Sequence, residues 1–239
     1  MSVTIERYGE LRAAHDALTL RLYKTLSQRA IDEMATRLGV RDPKRTPGDP
    51  DVERAIVLDS ALYDYSVPGT GTNAIARFAK PSVEVSDDER LLLAAMKAAR
   101  VTVLEVTARG PGFGVPVRDV LAGDALLLAD RGLSEAGEPG DLVLMRVLRL
   151  AGFAMSTGVP LVVPRFALTL IQRAGVLPPT AWAPKPRAQV ATSLHRLALC
   201  TEEEVKARLA TMALTRTDPL SLALGKALTA ARSLSRSEP

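Results

Sequence analysis

The sequence predicts an α+β fold in which N- and C-terminal helices flank a small antiparallel, barrel-like β-sheet. Three observations predict it. Apolar residues recur at three- to five-residue steps from Tyr8 to Leu38, short β-branched runs broken by glycine turns fill Val101 to Pro164, and helical spacing returns beyond Pro164. With 47% apolar and 24% charged residues among 239, the composition is that of a globular chain and excludes a disordered one. The expected organisation is an N-terminal helical region over 1–84, a β-barrel-like module with a leading helix over 85–164, and a basic helical region over 165–239, packed as one unit.

The first helical stretch carries Leu11, Leu18, Leu22, Leu26, Ile31, Met34 and Leu38. A break near 26 follows from Ser27, a good cap, and a stop at Gly39 from the left-handed conformation that ends many helices. Arg41 to Pro50 reads as a linker. Asp49 followed by Pro50 caps and starts the next helix, and Ser66 to Thr72 reads as loop. Ser86-Asp-Asp-Glu89 is a capping box opening a helix that carries Leu92 and Met96.

Beyond Arg100 the period shortens to two, and strands are expected at 101–108, 115–119, 125–130, 142–150, 153–157 and 159–163. Closing such short strands into a barrel would remove exposed edges. A helix over 165–174, an extended connector over 177–186 with the sole tryptophan, Trp182, a capping box at Thr201-Glu-Glu-Glu204 and an amphipathic helix from Asp218 complete the chain.

The segment from Asp88 to about Leu161 resembles the β-rich module of uncharacterised bacterial SEC-C-type proteins. The residues that carry the resemblance are Ala99-Arg-Val-Thr-Val-Leu-Glu-Val106, Val117-Arg-Asp-Val-Leu-Ala-Gly-Asp124 and Glu138-Pro-Gly-Asp-Leu-Val-Leu-Met-Arg-Val147. These are turns and core strands, so the resemblance implies a fold. The zinc motif that accompanies the module is absent here, and no metal role follows from it.

One cysteine, Cys200, allows neither an internal disulfide nor a cysteine zinc site. His195 and Cys200 stand five residues apart, which on one helix separates their side chains by roughly 140°. A buried thiol and a helix-surface imidazole are therefore expected, not a nucleophile pair. Gly69-Thr-Gly-Thr-Asn73 and Gly110-Pro-Gly-Phe-Gly114 lack the Lys-Ser/Thr ending of a phosphate loop and read as turns that open no helix. The acidic runs Asp87-Asp-Glu89 and Glu202-Glu-Glu204 sit in first helical turns, where the helix dipole accounts for them. No residue is assigned a catalytic, cofactor-binding or metal-ligating role.

The net charge of +4 is unevenly placed: balanced over 1–100, two negative over 101–164, six positive over 165–239. Arginine outnumbers lysine 24 to 7, a bias of GC-rich bacterial coding sequences. The opening Met1 to Arg7 is charged where a signal peptide needs an apolar core, and no long apolar run occurs, so a cytoplasmic protein without membrane contact is expected. The expected function is that of a non-enzymatic binding protein, a regulator, inhibitor or adaptor of another protein. The alternative is a nucleic-acid or ribosome-associated protein, and the third is an enzyme whose site assembles only in three dimensions. Lys185, Arg187, Arg196, Lys226, Arg232 and Trp182 are the candidate partner-binding residues, the cations for an acidic partner and the tryptophan as an interface anchor.

Overall fold

The computed structural model describes residues 4–43, 47–79, 83–110, 114–158, 160–163 and 184–199. Helix α1 (Ile5–Tyr23) starts where Thr4 accepts from the Arg7 N–H, and α2 (Gln28–Arg37) where Ser27 accepts from Ala30. Gly39, at φ 75°, ends the second as expected. Asp49 caps α3 (Pro50–Tyr63), and the reciprocal box of Ser86 and Glu89 opens α5 (Asp87–Ala98). Two short helices were not expected: α4 (Ala74–Phe78), capped by Asn73, and α6 (Arg131–Ala136), capped by Asp130. Helix α7 (Pro184–Ala198) also corrects the predicted connector, whose residues 184–186 are helical. Both prolines lie in the first turn, where the missing N–H has no partner to lose. The segments predicted over 165–174 and from 200 onward lie outside the described residues.

The strands are β1 (Arg100–Val106), β2 (Gly114–Asp119), β3 (Ala125–Ala129), β4 (Leu142–Leu150), β5 (Phe153–Ser156) and β6 (Leu161–Val162). β1, β2 and β3 form an antiparallel meander, and β4 returns across α6 to lie antiparallel against β1, Leu104 opposite Val143. That spatial order is a Greek key. β5 hairpins from β4 through a turn at Gly152 (φ 88°) and pairs in parallel with β3, Leu128 opposite Ala154, which closes a five-stranded barrel. A closed five-stranded Greek-key barrel with a helix between its third and fourth strands has the topology of an OB-fold. The two-residue β6 extends the sheet along β4 at Val143 and Leu144.

Alternation along each strand gives two apolar faces. Leu104, Val106, Val115, Val117, Leu128, Val143, Met145, Val147 and Ala154 fill the barrel. Val101, Val103, Leu142 and Leu144 point outward beneath residues of α2, α3 and α7. Leu148, Phe153 and Met155 lie beneath α1, α4 and α5. Helices thus cover the β1–β4–β5 side, while on the outer side of β2 and β3 Arg118, Ala125 and Leu127 stay exposed. Among the described residues no helix is long and apolar enough to cross a membrane.

Candidate functional site

Arg146 stands in an otherwise apolar stretch, Leu142-Val-Leu-Met-Arg-Val-Leu148, and the strand period turns it outward with Leu144 and Leu148. Helices cover that face, so the guanidinium is 3% exposed and must be paired within the protein. Its Nε donates to Asp59 Oδ2 at 2.8 Å, and an Nη donates to Asp64 Oδ2 at 2.5 Å. The group also lies 4.3 Å from the centre of the Tyr63 ring. Thr157 Oγ1 donates to the other Asp59 oxygen at 2.9 Å, which completes a tie between α3, β4 and the segment after β5.

One arginine between two carboxylates leaves a surplus negative charge in a buried place. Burial pushes Asp64 up to about 6, against the pull of Arg146. Burial opposes the charge on Arg146 as well, but Asp59 and Asp64 outweigh it and hold the guanidinium more firmly protonated than usual.

His195 corrects the expected surface imidazole: it is 3% exposed. Helix α7 lays Ala191 and Leu194 against the outer face of β1 and β4, which carries the neighbouring His195 inward with them. Its Nδ1 has no hydrogen-bond partner among the described residues, and burial pushes its pKa down to about 4. It is neutral at pH 7. His15, on α1, is also buried, and burial lowers it too.

A second ion cluster plugs the barrel end opposite α6, whose Leu133 packs against the barrel interior. Asp119, fully buried at the end of β2, accepts from Thr102 Oγ1 at 2.5 Å and from the backbone N–H groups of Leu121 and Ala122. Its second oxygen accepts from Arg149 at 3.0 Å and lies 3.6 Å from an Nη of Arg100. Arg149 also donates to Asp124 at 2.7 Å. The Nε atoms of Arg100 and Arg149 are buried without partners among the described residues. Burial, then the nearby charge of Arg149, lowers the pKa of Arg100.

Between the two clusters opens a cleft of about 310 Å³. Tyr63, Asp64 and Arg146 line it on one side, Lys97 and Arg100 at the α5–β1 junction on another, and Ala188 and Ala191 of α7 close it. The glycine segment Gly69–Asn73 contributes Gly71, Thr72 and Asn73, and it leads into α4, contrary to the expectation that it opens no helix. The Asn73 side chain ties this segment to the fold, accepting from the Ala76 N–H and donating to the Tyr63 carbonyl, each within 2.9 Å.

Of the predicted partner-binding residues, Lys185, Arg187 and Arg196 share α7, with Arg196 half-exposed in its last turn. Trp182, Lys226, Arg232 and Cys200 lie outside the described residues. The acidic run of α5 is structural. Asp88 takes both ends of the Arg7 guanidinium, Glu89 pairs with Arg21 and Asp87 with Arg90. Among the described residues no three His, Cys, Asp or Glu side chains converge as metal ligands.

Fold and site together define an α+β protein built on an OB-type barrel, wrapped on one side by helices, one of which is tied to it through the buried Arg146. The chain belongs to a protein family described as "Family of unknown function (DUF7986)", whose model matches residues 2–174. No curated protein and no solved structure matches it.

Proposed function

We propose that this is a bacterial cytosolic binding protein that acts on another protein as a regulator, inhibitor or adaptor. The observation that carries the reading is the composition of the outer β2–β3 face. It presents half-buried Pro116 with exposed Ala125 and Leu127, and its one arginine, Arg118, is paired with Glu105 on β1. Arg109, in the β1–β2 connection, is likewise paired with Glu138. OB-type barrels grip single strands on this side with stacking aromatic rings and unpaired cations. Neutralised arginines beside apolar side chains suit a protein surface better than a phosphate backbone.

A photo-crosslinking residue at position 127, in the full chain expressed in its own cells, tests the reading. The expected product is a crosslink to one protein, lost when Arg118→Glu or Pro116→Asp is added while the melting temperature holds. Nuclease-sensitive crosslinks, prevented when a lysate is irradiated at about 200 mM salt as counterion competition requires, would replace it with the nucleic-acid reading. Absence of any crosslink, together with unchanged cellular behaviour of Leu127→Asp, would overturn both.

A further inference from the structure

We propose that the cleft between α5, β1 and α7 is a binding site for a small organic anion, a carboxylate or a phosphate ester, held by Arg100 and Lys97. The inference is independent of the partner proposed for the β2–β3 face.

Arg100 is the anchor because its charge is withdrawn from water without being fully met by protein. Its side chain is 12% exposed, its Nε has no partner among the described residues, and its contact to Asp119, at 3.6 Å, is too long for a hydrogen bond. Asp119 cannot come closer to it without loosening contacts with Thr102, Leu121, Ala122 and Arg149, which already share its two oxygens. Burial, then the charge of Arg149, lowers the pKa of Arg100 by more than Asp119 and Asp124 raise it.

A second donor, the exposed Lys97, lines the same cleft. Arg146 on the wall is already held by Asp59 and Asp64, so Arg100 and Lys97 are the cations left to meet a ligand's charge.

Chemistry and size define the ligand class. A guanidinium fork favours the paired oxygens of a carboxylate or a phosphate, and Ala188 and Ala191 offer a small apolar wall to the rest of the molecule. A volume of about 310 Å³ is at the small end of the range for small-molecule clefts. The site therefore suits a metabolite-sized acid and is too small for a polymer.

The test is calorimetric titration of the full chain with succinate, with inorganic phosphate and with neutral succinamide, at fixed ionic strength. Saturable binding of at least one anion and none of succinamide is expected, and the anion that binds identifies the head group. Arg100→Gln should weaken that binding at least tenfold and Lys97→Ala severalfold, the latter at an unchanged melting temperature. Should Arg100→Gln fail to fold, Lys97→Ala decides, since that side chain is exposed. The proposal is overturned if neither anion saturates, if succinamide binds as tightly, or if Lys97→Ala binds like the parent chain.

Discussion

Arg146 on β4 and Asp59 on α3, 87 residues apart in sequence, meet at 2.8 Å in a place where each side chain is less than a tenth exposed. The pair lies between two apolar clusters, one beneath α2, α3 and α7 and the other beneath α1, α4 and α5. It fixes the rotation of α3 on the barrel, because only one orientation of the helix brings Asp59 to the guanidinium.

Removing Arg146 strands two carboxylates. Arg146→Met is expected to cost about 3–5 kcal/mol in urea unfolding, the range for a broken buried pair. Asp64→Asn should cost less than Asp59→Asn, since it removes the surplus charge while Asp59 still accepts from both Arg146 and Thr157. Equal losses from the two asparagine variants would contradict the charge count.

Acid stability follows from His195. Its folded pKa of about 4 lies below the unfolded value near 6.5, so the unfolded chain binds the proton first. Stability is therefore lost as pH falls from about 6.5 to 4, by up to roughly 3 kcal/mol from this residue. Asp64 has the opposite sign. Its folded pKa of about 6 lies above the unfolded carboxylate, so its penalty grows as pH rises from about 4 to 6 and is constant above. His195→Phe should flatten the loss of unfolding free energy between pH 7 and pH 5, and Asp64→Asn should steepen it. A parallel pair of profiles for parent and His195→Phe would show the imidazole to be accessible.

At the barrel end, Asp119→Asn removes the carboxylate that Arg100 and Arg149 share and leaves two guanidinium groups with Asp124 alone, which pairs with Arg149. A loss of about 3 kcal/mol is expected. Thr102→Val keeps the shape and removes only one donor to a charged acceptor, so roughly 1.5–3 kcal/mol is expected. Thermal denaturation of the two variants checks the order, which reverses if Arg149 turns to solvent.

The α5 cap provides a smaller effect. Ser86→Ala should cost about 1 kcal/mol. Glu89 accepts from the Ser86 N–H and also pairs with Arg21 on α1, so Glu89→Ala should cost more than Ser86→Ala, with Glu89→Gln between Glu89→Ala and the parent. Urea midpoints at constant slope measure all three.

Local signals were legible in the sequence wherever one residue decides a local conformation. Ser27, Gly39, Asp49 and Ser86 sit where helix ends were expected, and the β-period located six strands to within about two residues. The short helices escaped because five or six residues cannot display a 3.6-residue period, although Asn73 and Asp130 were readable as caps. The parallel pairing of β3 with β5 has no local signature. The buried clusters escaped for a related reason. Arg146 within an apolar strand and Asp59 within Ile56-Val-Leu-Asp-Ser-Ala-Leu62 are each visible as misplaced charges, but the sequence does not show that they answer each other. His195, expected on the helix surface, turns inward because Ala191 and Leu194 set the buried face of α7.

Barrel closure has a consequence for biosynthesis. Until Phe153 to Ser156 leave the ribosome, β3 lacks its parallel neighbour, and until β4 emerges β1 has a free edge, so the nascent chain carries two unsatisfied strand borders. Helices α1 to α5 are by then fully synthesised, with the apolar faces that will cover β1, β4 and β5 still uncovered. The longest-range pairings form last, which makes closure the slow, aggregation-exposed step of maturation. Chains stalled or truncated between about residues 130 and 152 are accordingly the species that a cell's holding chaperones should capture.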